Sequence, residues 1–421
     1  MKKLSTEIIY IAQQAKKASE GLANLPTEVK NKALLAMAKA IRERKEDIIQ
    51  ANKQDLELSK GESSAFIQRM VLDEQGVLKI AEHIEQVSKL DDPVGKVIKE
   101  WKAAQGLHIK KLRVPIGVIA VIYESRPDVT SDCSALCLKS GNAVILKGGK
   151  EALNSNKAIA HILTEAAAAY LPQGAISLIP FREREAVDIL LGLNDYIDLV
   201  IPRGGESLIR KVVEKSRIPV IKHYKGICHI YVDEDADLDM AQEICYNAKV
   251  QKAATCNAVE TLLVHQDKVV PFLPLMLKKF QKAGVEVRGC EQTQKVVNSI
   301  SNLKIKAAEE KDWQTEYLDL IISVKIVQDL GEAIEHINKY GTKHSDAIIT
   351  GSKNKAEEFL QRIDSACVYW NASTRFTDGY QFGMGAEMGI STDKIHCRGP
   401  MALEELTSYK YLIYGKGQTR K

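Results

Sequence analysis

The chain has 421 residues, of which 45% are hydrophobic and 27% charged. A single hydrophobic core stops growing at roughly 250–300 residues, so two or three domains are expected, and the composition excludes disorder as the main state. A net charge of +4 over this length excludes the basic footprint of a nucleic-acid or membrane-surface binder.

The N-terminus carries two lysines but only a five-residue apolar run, Ile8 to Ala12. A secretory signal or a spanning helix needs more, so a soluble, cytoplasmic protein is expected. Residues 1–90 read as several amphipathic helices, one of them starting at Thr27 after Pro26. From Val97 to Arg113 apolar and polar residues alternate around a turn at Ala104–Gly106, which is a hairpin pattern. The segment Ser408–Gly417 is strand-like without an obvious partner.

The stretch 115–232 is the most regular. The run Ile116–Tyr123 is apolar throughout, as expected of a strand buried on both faces. A helix over 128–140 follows, ended by Gly141. Then come a strand over 143–146, a Gly-Gly turn and an Ala-rich helix to about Tyr170. Further strands are expected over 175–179, 196–201 and 219–221, with helices near 183–193 and after Gly204–Gly205. Repeated alternation implies a doubly wound parallel sheet with helices on both faces. After Asp233 the pattern restarts as a second α/β domain, with a helix over 236–248, a strand over 261–264, a helix over 268–283 and another strand–helix round over 318–339.

Eight cysteines are too few for a disulfide scaffold. Cys133 and Cys137 share a helix face with no second Cys/His pair at zinc spacing, so no metal site is expected and both read as small buried hydrophobes. Cys256 differs, because its flanks (AAT before, NA after) are small and polar. Such a setting exposes a thiol and supports a thiolate. The turn LKGGKEA lacks the GxGxxG and P-loop spacings.

Taken together and in order, four segments carry a resemblance. They are PIGVIAVIYESRP, LKSGNAVILKGGKEA, CNAVETLLVH and, most specifically, AIEHINKYGTKHSDAII with His336, Tyr340, Gly341, Thr342, His344, Ser345 and Asp346. Over essentially its whole length the chain resembles the gamma-glutamyl phosphate reductases of the aldehyde dehydrogenase superfamily. The resemblance implies an α/β, aldehyde-dehydrogenase-like fold. A Rossmann-type parallel-sheet cofactor domain would span 1–96 and 114–235, and an α/β catalytic domain 236–405, part of 366–405 returning to the cofactor domain. A β oligomerisation arm would span 97–113 and 406–421, making a homo-oligomer.

It further implies NADPH-dependent reduction of L-glutamyl 5-phosphate to glutamate 5-semialdehyde, in proline biosynthesis. Cys256 would be the nucleophile, forming a thioacyl-enzyme, with Asn257 beside it as an oxyanion donor. Ser125, Arg126, His344, Ser345 and Arg375 would bind substrate. Lys147, Gly148, Gly149, Lys150, Gly204 and Gly205 would bind NADP. Where hydrolysing relatives carry a water-activating Glu, this chain has KHYKGICH with His223 near that position, which favours reduction. Lys150 falls where relatives place a Glu on the adenosine ribose, and a cation there favours a 2′-phosphate. The acyl phosphate would come from a separate glutamate kinase, a plausible partner. The alternative is another thiol-dependent aldehyde dehydrogenase, hydrolysing or CoA-acylating.

Overall fold

The computed structural model describes residues 2–300, 303 and 305–420; the remaining residues of the expected domain ranges lie outside it. It divides into two compact units, Met1–Lys222 with Gly383–Gly389 and Met401–Lys421, and His223–Phe382 with Ile390–Pro400.

In the first unit the amphipathic reading of the N-terminal region holds. Its helices are Lys2–Leu22, Thr27–Glu43, Lys45–Leu58, Ser64–Met70 and Glu74–Lys89. Pro26 precedes the second of them, and Ala33, Leu34, Met37, Ala38 and Ile41 form its buried stripe. The sheet has four parallel strands in the order Ile176–Leu178, Ala143–Lys147, Val118–Tyr123, Leu199–Arg203. Every residue of Val118–Tyr123 is buried, as its unbroken apolar run requires. The strand expected over 219–221 is only a single bridge, Val200 to Val220, since Pro219 has no N–H to extend a ladder. The helix expected near 183–193 is confined to Glu185–Leu190.

The hairpin is present as Val97–Lys102 and His108–Pro115. Gly106 supplies a positive φ of 80° at its turn. The C-terminal strand Thr407–Tyr414 pairs antiparallel with His108–Pro115 along its length. The two segments that lacked partners in sequence therefore complete one three-stranded sheet. Tyr409, Tyr411, Ile413 and Tyr414 are exposed on its last strand.

The second unit is built on seven parallel strands. Their order is Lys306–Ala307, Glu286–Gly289, Ile321–Val327, Val259–His265, Cys228–Val232, Ser345–Ile349, Cys367–Trp370. Residues 223–235, expected in the first domain, belong here instead. Strand Cys228–Val232 is wholly buried and hydrogen-bonded on both sides within this sheet. The restart after Asp233 is the turn between strand Cys228–Val232 and helix Leu238–Val250, which Asp237 caps, not a domain boundary. Helix Val269–Lys282 packs Phe272, Leu273, Met276 and Phe280 into the main core.

Candidate active site

Cys256 lies in the connection between helix Leu238–Val250 and strand Val259–His265, partly buried and outside any disulfide. Its backbone is held from behind by the segment entering strand Cys228–Val232. A Cβ on Gly226 would stand 1.8 Å from the Cys256 carbonyl oxygen, so only glycine permits this approach. The Gly226 N–H donates to Glu316 at 2.8 Å, and the Ile227 N–H to Thr342 Oγ1 at 2.9 Å. The Cys228 Sγ–H donates to the Cys256 carbonyl at 3.2 Å. Burial raises the Cys228 thiol well above its ordinary value, which keeps it a protonated donor.

Two histidines face the Cys256 sulfur. One ring nitrogen each of His223 and His344 and the Cys256 Sγ lie within 4.8 Å of one another. His223 Nδ1 is 2.9 Å from the Ile390 carbonyl, which can only accept, so this nitrogen carries the proton. His344 is fully buried, and burial followed by repulsion from His223 pushes it down to about 3. It therefore stays neutral at pH 7. Its Nδ1 meets Ser345 Oγ at 2.9 Å, and a hydroxyl chain continues through Thr377 Oγ1 to the Tyr369 hydroxyl, each step 2.6 Å. Ser345 thus orients His344.

Asn257 departs from its expected role. Its amide N–H groups donate to the Thr377 carbonyl at 2.9 Å and the Arg375 carbonyl at 3.4 Å. Its Oδ1 accepts from Arg375 and, at 3.0 Å, from Thr255. The side chain is spent on fixing the 375–377 turn, so it is a positioning residue and not an oxyanion donor. Arg375 donates from Nε to Gln251 at 2.9 Å as well as to Asn257. Both acceptors are neutral amides. Burial lowers the Arg375 guanidinium from its ordinary value, while Cys256 and then Asp378 favour its charge.

The signature segment does structural work around this site. Gly341 approaches the Ile337 carbonyl so closely that a Cβ would lie 2.5 Å from it. Asp346 Oδ1 accepts the His229 backbone N–H at 2.8 Å and lies 3.0 Å from His229 Nδ1. Its Oδ2 accepts from Ser365 at 2.5 Å. His336 packs against the rings of Trp313, Tyr340 and His229, and burial pushes it down to about 2. It is a neutral packing group in this region.

A buried ion pair ties two of these parts together. Lys249 Nζ and Glu260 Oε2 are 2.7 Å apart with both side chains fully buried. Glu260 Oε1 accepts the Leu318 N–H at 3.2 Å, anchoring the turn whose Glu316 holds Gly226. Burial raises Glu260 to about 7 and lowers Lys249, in each case outweighing their mutual attraction. Glu260→Gln would leave the Lys249 charge buried beside a neutral amide. A loss of about 3 kcal/mol in denaturant unfolding is expected. A variant as stable as the parent would show that the ion pair contributes little.

The first unit holds the expected cofactor residues. Lys150 is exposed on a short turn after strand Ala143–Lys147. Lys147 instead is buried and donates to the Gly148 carbonyl at 2.8 Å. Gly148 packs so closely on Asn156 that a Cβ would clash at 2.1 Å, and one on Gly149 would meet the Glu151 carboxylate at 2.0 Å. The acid next in sequence, Glu151, turns onto Ser125, accepting its N–H at 2.8 Å and its hydroxyl at 3.2 Å. Ser125 sits at φ 51°, a strained conformation for a non-glycine residue that these bonds hold. Arg126 is exposed. Gly204 and Gly205 are exposed where helix Glu206–Lys215 begins, and the Gly205 N–H donates to Glu124 at 2.8 Å.

Sequence reasoning missed Gly226, Cys228, Glu316, Thr377 and the Lys249–Glu260 pair. Their partners lie up to 120 positions away, and only the Gly in the KHYKGICH stretch offered a local signal.

Comparison with known proteins concerns the chain as a whole. The aldehyde dehydrogenase family pattern matches residues 2–304. A gamma-glutamyl phosphate reductase from Thermodesulfovibrio yellowstonii is 52% identical over 98% of this chain and 99% of its own. One from Halothermothrix orenii is 52% identical over 99% and 100%. The crystal structure of gamma-glutamyl phosphate reductase from Thermotoga maritima superposes with a TM-score of 0.96 at 45% identity, covering 99% of this chain and 100% of that one. The chain therefore belongs to the aldehyde dehydrogenase family of oxidoreductases, and within it to the gamma-glutamyl phosphate reductases.

Proposed function

We propose that the chain reduces L-glutamyl 5-phosphate to L-glutamate 5-semialdehyde and phosphate, with NADPH as reductant, through a thioacyl-enzyme on Cys256. The observation that carries this reading is the grouping of the Cys256 sulfur with His223 and His344 beside the Arg375 guanidinium.

His223 presents Nε2 as the acceptor nitrogen, because Ile390 fixes the proton on Nδ1. It takes the Cys256 proton. The thiolate attacks the acyl carbon, a C–S bond forms, and the C–O bond to phosphate breaks with the electron pair leaving on phosphate. Arg375, whose hydrogen bonds to Gln251 and Asn257 go to neutral amide oxygens and leave its charge uncompensated there, attracts an anionic group of the substrate and favours the thiolate. The neutral imidazole of His344 keeps a second positive charge out of the pocket.

The residues of the first unit fit a nucleotide cofactor with a 2′-phosphate. Lys150 offers an exposed cation where a carboxylate would repel that group, and Glu151 is turned away onto Ser125. The Gly205 N–H is already given to Glu124, so Lys150 is the stronger anchor for an anion. NADPH, when bound, supplies the hydride that converts the thioester to the aldehyde.

The reverse direction provides the test. Glutamate semialdehyde should reduce NADP only when phosphate is present, with CoA or water serving at least roughly tenfold less well as acyl acceptors and NAD used roughly tenfold less well than NADP. CoA as the best acceptor would replace this reading with an acylating dehydrogenase.

A further inference from the structure

We propose that Cys256, His223 and His344 together form a binding site for a thiophilic divalent cation, Zn2+ by the character of the donors, and that its occupation closes the enzyme reversibly. No carboxylate takes part in this trio, and one thiolate with two imidazoles suits zinc and not magnesium or calcium.

Geometry supports the assignment. The three donor atoms lie within 4.8 Å of one another. A tetrahedral zinc with bonds of about 2.0–2.3 Å holds its donors about 3.3–3.8 Å apart, so small side-chain rotations close the set. Both histidines also show the outer arrangement of metal-binding imidazoles. In each, Nδ1 is fixed by an oxygen, the Ile390 carbonyl for His223 and the Ser345 hydroxyl for His344, both at 2.9 Å. The second, independent observation is His344 Nε2. It is buried, on a side chain with no exposure, and has no hydrogen-bond partner among the described residues. A buried ring nitrogen without a partner is costly, and a cation bound through its lone pair, with the proton on Nδ1, removes that cost. The fourth position is left for water or a substrate oxygen.

Another grouping, Glu234, His265 and Asp267, pairs two exposed carboxylates with a buried histidine, and serves as a control. Binding at Cys256 ties up the sulfur lone pair. The inhibition that follows rests on the reading of Cys256 as nucleophile; the binding does not.

The full-length, metal-free protein titrated with Co2+ as spectroscopic probe tests this. One equivalent per chain should bind with a thiolate-to-cobalt charge-transfer band and tetrahedral d–d bands, and Zn2+ should displace it. Cys256→Ala should abolish the charge-transfer band. His223→Gln, at a partly exposed position and therefore safe for folding, should weaken binding at least about tenfold. In the parent, Zn2+ should inhibit and a chelator restore activity. A charge-transfer band that survives Cys256→Ala, affinity unchanged in His223→Gln, or binding lost only on replacing Asp267 would each overturn the site. Cobalt bands lost in a Cys256→Ala variant that still reduces substrate would leave the site standing and refute the nucleophile instead.

Discussion

Cys256→Ser should lower reductase activity by about a thousandfold or more while leaving the fold intact. Serine keeps the shape but not the chemistry. Its hydroxyl is barely ionised near neutral pH, and His223 alone has to generate the alkoxide. The oxygen ester that would form is also a poorer hydride acceptor than a thioester. The fold should survive because Cys256 is only partly buried and its backbone carbonyl is held by the Cys228 thiol and packed against Gly226. A thermal midpoint within a few degrees of the parent, with activity gone, is the expected pair of results. Mass spectrometry of the parent trapped with acyl phosphate in the absence of reductant should find the glutamyl group on the peptide containing Cys256. Activity within tenfold of the parent in the serine variant would remove the nucleophile from the mechanism.

Gly226→Ala should reduce kcat by roughly a hundredfold, a larger change than the loss of one methyl-sized space suggests. The added Cβ would fall 1.8 Å from the Cys256 carbonyl oxygen, 2.6 Å from its carbon and 2.8 Å from its Cα. All three are backbone atoms, so no rotamer change relieves the contact. Either the 226–228 segment or the Cys256 turn must move by about an ångström, and a displacement of that size costs about two orders of magnitude in a positioned reaction. The overpacking should also cost about 1–3 kcal/mol. Thermal unfolding separates the two effects, because a protein still folded at assay temperature with low kcat has a displaced nucleophile. The rate of Cys256 alkylation should change in parallel. An unaltered kcat would mean that the turn adjusts freely.

Much of the fold was legible because its signals are local. Val118–Tyr123 is covered on both faces, and burial on both faces favours the unbroken apolar run it carries. Helix Thr27–Glu43 announces itself through Pro26 and its apolar spacing. The motif around His336–Asp346 was visible as a pattern, but the roles of its members were not. His336 and His344 are the same residue type in one motif, on either side of Gly341. One packs against Trp313 and Tyr340, and the other faces Cys256. Burial partners from distant segments make that difference. Asn257 was misread for a related reason. Next to a nucleophile, an amide looks like an oxyanion donor, and only the arrival of the 375–377 carbonyls shows that its N–H groups are spent.

The sequence by itself determined that this is a large α/β enzyme chain with one cysteine set in a small, polar turn, and which family it resembles. Tertiary structure alone decided that residues 223–235 belong with the second sheet, that the hairpin and the C-terminal strand are partners, and which groups surround the sulfur. The reason is physical. Periodicity, capping and apolar runs are set by neighbours within a few positions, whereas the hydrogen bonds and close contacts that position Cys256 join segments tens to more than a hundred residues apart. These form only when separate strands are brought side by side in one sheet.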